Sequence, residues 1–345
     1  MSVLLLAVSL AVLALMLTAQ LRRYALRRSL LDVPNARSSH SLPTPRGGGV
    51  AIVIAFLIGL GVAFFVDLGV SAELFYAMLG AGCGVALLGF LDDHGHIAAR
   101  WRLLGHFAAA IWALFWLGGL PPVVMFGFAV DLGWFGHVLA AVYLVWLLNL
   151  YNFMDGIDGI ASVEAICVCF GGALLYGLLG FAGSTQPTAW VAPVLLAAAV
   201  AGFLFWNFPP ARIFMGDAGS GFLGITLGVL SLQAAWVAPQ LLWSWLILLG
   251  VFIVDATFTL LRRLLRGDKV YEAHRSHAYQ YASRQYGRHL PVTLVVGGIN
   301  ILWLLPIAFW VGLGGVDGLL GLLIAYVPLL ALALKYHAGE LEPQA

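Results

Sequence analysis

Charge is what this sequence has least of. Only 10% of its 345 residues are Asp, Glu, Lys or Arg, while 62% are hydrophobic. A soluble domain averages about half apolar and about a quarter charged. The scarcity excludes a soluble globular protein and leaves an integral membrane protein, because a helical bundle in lipid accommodates apolar surface that one aqueous core cannot. Cysteine is scarce too. Cys83, Cys167 and Cys169 all lie inside apolar runs, and the last two point to different sides of a helix. They read as small packing residues, which excludes a disulfide framework and a cysteine metal set. No clear internal repeat, low-complexity tract or soluble domain is present, and the missing inverted repeat weighs against a secondary transporter. The net charge of +1 says nothing about partners by itself, and no nucleic-acid partner is expected. Basic residues are missing before the first apolar run, Val3 to Thr18, whereas Arg22, Arg23, Arg27 and Arg28 follow it. That pattern is an uncleaved first span with its N-terminus outside.

What is present is a series of long apolar runs. Eleven candidate spans can be drawn, at 2–20, 47–66, 74–91, 103–120, 134–151, 159–182, 188–206, 218–236, 238–260, 291–313 and 316–335. Each approaches the roughly 20 residues that a helix needs to cross a bilayer. The even-numbered connections contain no Lys or Arg; all 17 fall in the odd-numbered connections and the C-terminal tail. By the positive-inside rule this predicts an all-α polytopic bundle of about 11 transmembrane helices, N-terminus out and C-terminus cytoplasmic. Residues 1–345 then form a single membrane domain with cytoplasmic segments 21–46, 92–102, 152–158, 207–217 and 261–290. The opposite loops are short, and Pro121–Asp131 is apolar enough for a small hairpin.

The chemistry-bearing motifs fall on the predicted cytoplasmic side. The run Asn149-Leu-Tyr-Asn-Phe-Met-Asp-Gly-Ile-Asp-Gly159 ends the fifth span. Asp155 and Asp158 are three apart, so on a helix they share one face, and the glycine after each permits close approach of backbone or ligand. The competing reading is a polar hinge. Asp92-Asp93 closes the third span. Adjacent carboxylates there suit a cation or a shared proton, as magnesium ligands or a general base, or else form a solvated helix terminus. Arg100 and Arg102 offer phosphate contacts, or only a topology signal. Phe214-Met-Gly-Asp-Ala-Gly-Ser-Gly221 opens the eighth span and offers an amide-rich anion site at a positive dipole end. Asp217 is there a metal ligand, the N-cap of that helix, or both. His274 and His277 lie in the most basic loop, as pyrophosphate contacts or plain surface residues. Asp255 is a counter-ion for the basic stretch or a ligand-facing group. In the proline- and glycine-rich segment 32–49, Arg46 is placed to reach the anion site, or the segment is a connector.

Together these groups supply acids for Mg²⁺, helix-start amides and cations for phosphate at one membrane face. That is the equipment needed to bring two anions into line, and it points to phosphoryl transfer between a cytosolic donor and a membrane-borne acceptor. A transporter or flippase would place acids at mid-depth and charge on both sides. Here the outer loops have only Asp67, Glu73, Asp131 and Asp317.

The set Asp92-Asp93, Asn149-x-x-Asn152-x-x-Asp155-Gly-x-Asp158-Gly, Asn207-x-Pro-Pro-Ala-Arg-Ile-Phe-Met-Gly-Asp217-x-Gly-Ser and His274-x-x-His277 resembles the polyprenyl-phosphate N-acetylhexosamine-1-phosphate transferases. The stretch Asp32-x-Pro-Asn…Pro-Thr-Pro-Arg-Gly-Gly adds to the match. The resemblance implies a Mg²⁺-dependent enzyme of the bacterial cytoplasmic (inner) membrane, with Mn²⁺ as an alternative ion. It would convert UDP-N-acetylhexosamine and undecaprenyl phosphate to undecaprenyl-diphospho-sugar and UMP, and relatives suggest a homodimer. It also implies that Asp217 is the foremost metal ligand, with Asp155 and Asp158 near the metal. Asn152, Asp155 and Asp158 would line the nucleotide site, with Asn207 in the same motif set. Asp92, with Asp93 beside it, would be base or orienter for the lipid phosphate. His274 and His277 would hold the diphosphate, and Arg100, Arg102 and Arg46 would meet phosphate. One departure matters. The muramoyl-pentapeptide branch carries three consecutive histidines and the N-acetylglucosamine branch a His-x-His-His form, whereas this chain reads His274-Arg275-Ser276-His277. With Ala278-Tyr279-Gln280-Tyr281 following, the chain looks more like enzymes that initiate O-antigen chains, ahead of those of peptidoglycan synthesis.

Overall fold

A computed structural model describes residues 2–34, 42–95, 97–181, 188–269 and 274–341. Asn35 and Arg37 of the proline- and glycine-rich segment 32–49 lie outside the described residues. In chain order the helices are α1 (Val3–Arg27), α2 (Val50–Phe65), α3 (Ala72–His94), α4 (Ala99–Leu117), α5 (Gly133–Met154), α6 (Ile160–Phe181) and α7 (Val191–Asn207). They continue as α8 (Asp217–Val237), α9 (Gln240–Leu248), α10 (Gly250–Leu265), α11 (Ala278–Tyr286), α12 (His289–Ile299), α13 (Leu305–Gly312) and α14 (Gly318–Lys335), with a π-helical turn at Asn300–Leu304. Two short antiparallel pairs join Leu31–Asp32 to Thr44–Pro45 and Val123–Met125 to Phe128–Val130. The second is the hairpin expected within Pro121–Asp131.

Every predicted span falls on a helix or a helical pair. Among the described residues seven stretches are individually long and apolar enough to cross a membrane, or eight if α9 and α10 count as one bent span, against the eleven spans expected. The α2 and α7 helices are apolar but shorter. The stretch 238–260, read from sequence as one span, is broken between Leu248 and Gly250, and its halves meet at 73°. Such a break is tolerated at membrane depth because it is enclosed by protein, and Leu248 and Leu249 are fully buried.

Burial follows the bilayer as solvent. The outermost helices α1 and α14 have little of their surface covered, whereas α8 is enclosed on nearly all sides. A helix that is apolar all round belongs at the centre of a bundle, and small residues let its neighbours approach. At Gly224 a Cβ would lie 2.6 Å from the Leu148 Cα of α5. At Gly89 of α3 it would lie 2.5 Å from the Ala218 amide nitrogen. These two glycines bring α3, α5 and the start of α8 to one point, which is where the polar motifs meet.

One carboxylate lies well inside a predicted span. Glu164, in α6, is fully buried, and its Oε2 accepts from the Asn300 Nδ2 at 2.6 Å. A buried carboxyl is tolerated when it is hydrogen-bonded, and this bond ties α6 to the π turn.

Candidate active site

The site is organised by the start of α8. Gly216, at φ 77°, turns the chain into that helix and offers no side-chain cap. The cap comes from α3: Asp93 Oδ1 accepts the Asp217 amide at 3.3 Å and Oδ2 the Ala218 amide at 3.4 Å. The reading of Asp217 as its own helix's N-cap is therefore corrected, because its carboxylate is left to face the cavity. Asp93 is buried and engaged with backbone, so it positions Asp217. Arg46 donates through Nη2 to the Asp93 carbonyl. Its neighbours pair with the Phe214 strand: Phe214 N donates to Pro45 O at 2.8 Å and Gly49 N to Met215 O at 2.8 Å. Arg46 thus acts on the anion site through Asp93.

Asp92, one residue earlier, points the other way. Its Oδ1 accepts the Ile97 amide at 2.8 Å, and its Oδ2 accepts from Arg102 Nη1. The same Arg102 nitrogen lies 3.6 Å from Asp217 Oδ2. Arg102 therefore bridges the two carboxylates at the mouth of a cavity of about 170 Å³, lined among others by Asp92, Arg102, His106, Asn149, Asn152 and Asp217. Arg100 is exposed and stacks 5.6 Å over Trp101; the structure shows it on that ring and not among the acids. His106 was missed by sequence reasoning. The available signal was its place four residues after Arg102, one turn on along the same face. Its Nδ1 lies 3.5 Å from Asn149 Nδ2. Asn152 Oδ1 accepts from Ser220 Oγ at 2.7 Å, tying α5 to α8.

The two aspartates after α5 do not share a helical face. That helix ends at Met154 and α6 begins at Ile160, so both acids sit in the intervening turn. Asp155 remains beside the cavity acids. Burial first, then the charges of Asp217, Asp93 and Asp158, hold its carboxyl well above the usual carboxylate range. Asp158 is drawn elsewhere: Oδ2 accepts the Ala211 amide at 2.9 Å and Oδ1 lies 3.1 Å from His289 Nδ1. This engagement sets it apart from the expected metal donors. It forms instead one wall of a second, larger cleft of about 660 Å³, with Thr44, Ala211, Phe214, Arg288 and His289. Asn207, expected to meet substrate, is 2% exposed and engaged at both ends of its amide. It accepts the Gly159 N–H at 3.1 Å and donates to Ile213 O at 3.0 Å. Its role is to clamp the 155–159 turn to the 208–216 loop.

The two histidines lie behind Phe153. Their rings are 4.8 Å apart, and Phe153, which also lines the smaller cavity, lies 6.5 Å from His274 and 6.4 Å from His277. His277 caps α11 and is buried; its Nδ1 faces Asp255 Oδ1 at 3.3 Å, while Nε2 has no hydrogen-bond partner. Asp255 also accepts the Ala278 amide at 2.9 Å and the Tyr279 amide at 3.0 Å. It anchors the histidine turn of the basic stretch and also lines an apolar cavity of about 380 Å³ with Tyr279 and Leu329. Tyr279 then donates to Phe153 O at 2.9 Å. His274 is neutral at physiological pH: burial, then the neighbouring His277 and Arg263, lower its pKa to about 3.

The donors suit a hard cation, but among the described residues no three His, Cys, Asp or Glu side chains group tightly enough to hold one unaided. Mg²⁺ commonly takes one or two protein carboxylates, with water and substrate phosphates completing its shell. Asp217 and Asp155 fit that pattern.

Residues 75–235 match the profile of glycosyl transferase family 4. The chain is 30% identical over 272 residues to the probable undecaprenyl-phosphate N-acetylglucosaminyl 1-phosphate transferase of Bacillus subtilis, covering 77% of this chain and 73% of that protein. It is 29% identical over 333 residues to the decaprenyl-phosphate N-acetylglucosaminephosphotransferase of Mycolicibacterium smegmatis, covering 87% and 79%. It is 37% identical over 204 residues to the phospho-N-acetylmuramoyl-pentapeptide-transferase of Moorella thermoacetica, covering 55% and 61%.

Proposed function

The chain belongs to glycosyl transferase family 4, and from that premise we propose that it transfers an N-acetylhexosamine-1-phosphate from a UDP-sugar to undecaprenyl phosphate. An oxygen of the lipid phosphate attacks the sugar-bearing phosphorus of the donor. The new P–O bond gives undecaprenyl-diphospho-sugar, and the broken anhydride bond leaves UMP. The observation that carries this reading is Arg102 placed between Asp92 and Asp217, with Asp155 beside them. A cation at the centre of an acidic pocket suits an incoming phosphate monoester.

Such a monoester has its second pKa near 6 and is mostly dianionic at neutral pH, so little base catalysis is needed. Asp92, pinned by Arg102 and the Ile97 amide, acts by orienting Arg102 toward the acceptor phosphate. Asp217 and Asp155 would hold Mg²⁺, or Mn²⁺ as an alternative, which would supply positive charge against the donor diphosphate. His274 is neutral and therefore serves the diphosphate as a hydrogen-bond donor, beside the free Nε2 of His277. Asn152 and the larger cleft at Asp158 take the nucleotide and sugar. The distribution of Lys and Arg supports a site on the inner surface of the bacterial cytoplasmic membrane, and a homodimer is the assembly proposed. The departure at Arg275-Ser276 supports initiation of a surface polysaccharide such as O-antigen.

The test is purified protein with undecaprenyl phosphate, Mg²⁺ and a panel of UDP-sugars, following UMP. Release with a UDP-N-acetylhexosamine is expected. No UMP from any donor, with the fold intact, overturns the reading; fastest release with UDP-N-acetylmuramoyl-pentapeptide moves the enzyme to peptidoglycan synthesis.

A further inference from the structure

The segment after α14 folds back onto the histidine turn. Ala338 and Gly339 are buried, and Ala338 packs with Ala278 and Ala333. The Gly339 amide donates to the Ser276 carbonyl at 2.7 Å, between the two histidines in sequence. On its other side the segment is held by the end of α10. Arg262 Nη1 donates to Ala338 O at 3.1 Å and Arg266 Nη1 to Gly339 O at 2.6 Å. Arg262 also pairs with Glu340 at 2.9 Å, and His337 Nδ1 lies 2.7 Å from Glu340 Oε2. The ring of His337 lies 4.8 Å from that of Tyr281, and the Tyr336 and Tyr286 hydroxyls are 3.1 Å apart.

Only glycine fits at the centre of this contact. Gly339 has φ 74°, and a Cβ there would lie 3.0 Å from both the Thr259 carbonyl oxygen and the Arg262 Cβ. The exposed ion pair adds little by itself. The backbone bonds do more, because they lie against buried surface and leave the amide and carbonyls no easy alternative partner.

We infer that Tyr336–Glu340 is a positioning strap that fixes the His274–His277 turn from behind, and that Gly339 is its key residue. Inside the bundle Asp255 holds the His277 side and the first amides of α11, and Arg284 Nη1 of α11 holds the Arg275 carbonyl at 3.0 Å. Ser276 and the His274 side are fixed by the strap, where His274 Nδ1 in turn lies 3.0 Å from Ser276 Oγ. Movement of Ser276 therefore moves His274. The inference rests on the reading of the histidines as contacts to the donor diphosphate.

Two variants of the full enzyme in lipid nanodiscs test it. Gly339→Val adds a β-branched residue at a left-handed φ, and truncation after Lys335 removes the strap without adding strain. Hydrogen exchange is measured by mass spectrometry over residues 274–281, alongside KM for the UDP-sugar, KM for undecaprenyl phosphate, kcat and Tm. Faster exchange confined to 274–281 is expected, with donor KM raised by about 5-fold or more and acceptor KM and Tm nearly unchanged. Unchanged exchange in both variants overturns the strap. Faster exchange with unchanged donor KM and kcat overturns its role in positioning. His277→Ala separates the two levels: wild-type turnover in that variant would sink the diphosphate reading while leaving the exchange result intact.

Discussion

Asp93 caps the helix that Asp217 begins: a carboxylate at the end of α3 accepts the first two amides of α8, at 3.3 Å and 3.4 Å. The bond fixes the direction in which Asp217 projects, so a buried acid orients one that lines the cavity. An N-cap is worth about 1 kcal/mol when truncated to Ala. Asp93→Ala should lower Tm by a few degrees and turnover by about 10-fold or more. Asp93→Asn, which keeps one acceptor, should recover most of the Tm and part of the turnover. Thermal unfolding and UMP release report both; full activity in Asp93→Ala would remove the capping argument.

Arg102 reaches both Asp92 and Asp217, whereas Arg100 stacks on Trp101. Both contacts use the one nitrogen Nη1, which leaves the other guanidinium N–H groups for a phosphate, whereas a lysine at 102 has a single nitrogen for all three. Arg102→Lys should lower kcat/KM by about 10-fold or more, mainly through the acceptor, while Arg100→Ala should stay within about 2-fold of wild type. The comparison also decides the role of Asp92. If Asp92→Asn keeps near wild-type turnover across the pH range, Asp92 is not a base and only orients Arg102.

His274 is buried in its neutral form, with a pKa of about 3 against 6.5 for the free side chain. Its folded-state pKa is depressed, so the unfolded chain takes up a proton that the folded site refuses. The resulting stability is fully present above about pH 6.5 and is lost progressively as pH falls toward 3. Tm should fall by several degrees between about pH 7 and pH 5, and His274→Gln should flatten that slope. An identical slope in the variant would assign the acid sensitivity to another group.

How much of this was legible in the sequence divides along physical lines. Each predicted span falls on a helix or a helical pair because apolar runs are legible in any order, but seven or eight stretches among the described residues, not eleven, are long and apolar enough to cross a membrane. The 73° break at Leu249 was not legible, because Leu248-Leu249-Gly250 reads as apolar as a straight helix and the bend is set by packing. Of the residues the motifs named, the structure brings Asp92, Asn152 and Asp217 to one cavity, with the Asp155 carboxyl feeling the charge of Asp217. The motifs did not assign roles. Asn207 turned inward because its amide satisfies Gly159 and Ile213, and Asp158 because His289 and the Ala211 amide lie beside it. Sequence spacing says which residues can be near each other; which oxygen faces a ligand depends on competing donors from loops over 40 residues away. Glu164 escaped notice for the same reason: its partner, Asn300, is 136 residues away.

Asp155 carries the clearest prediction about metal. Burial and the neighbouring acids raise its pKa in the folded protein, which means the folded state prefers it protonated. The stability this confers is fully present below about pH 4, its unfolded value, and is lost as pH rises through the folded-state value. A cation bound to the ionised acids reverses the preference. Mg²⁺ should therefore raise Tm more at pH 8 than at pH 6, and chelation should remove the difference. Asp155→Asn removes one charge from the cluster, so the chelated variant should melt above chelated wild type at pH 8, lose most of its Mg²⁺ response and be inactive. An inactive variant with a higher Tm separates a ligand from a hinge, because a residue kept for folding cannot be replaced with a gain in stability. If Asp155→Asn instead unfolds, the turn after α5 is a hinge and the metal must be held by Asp217 without it.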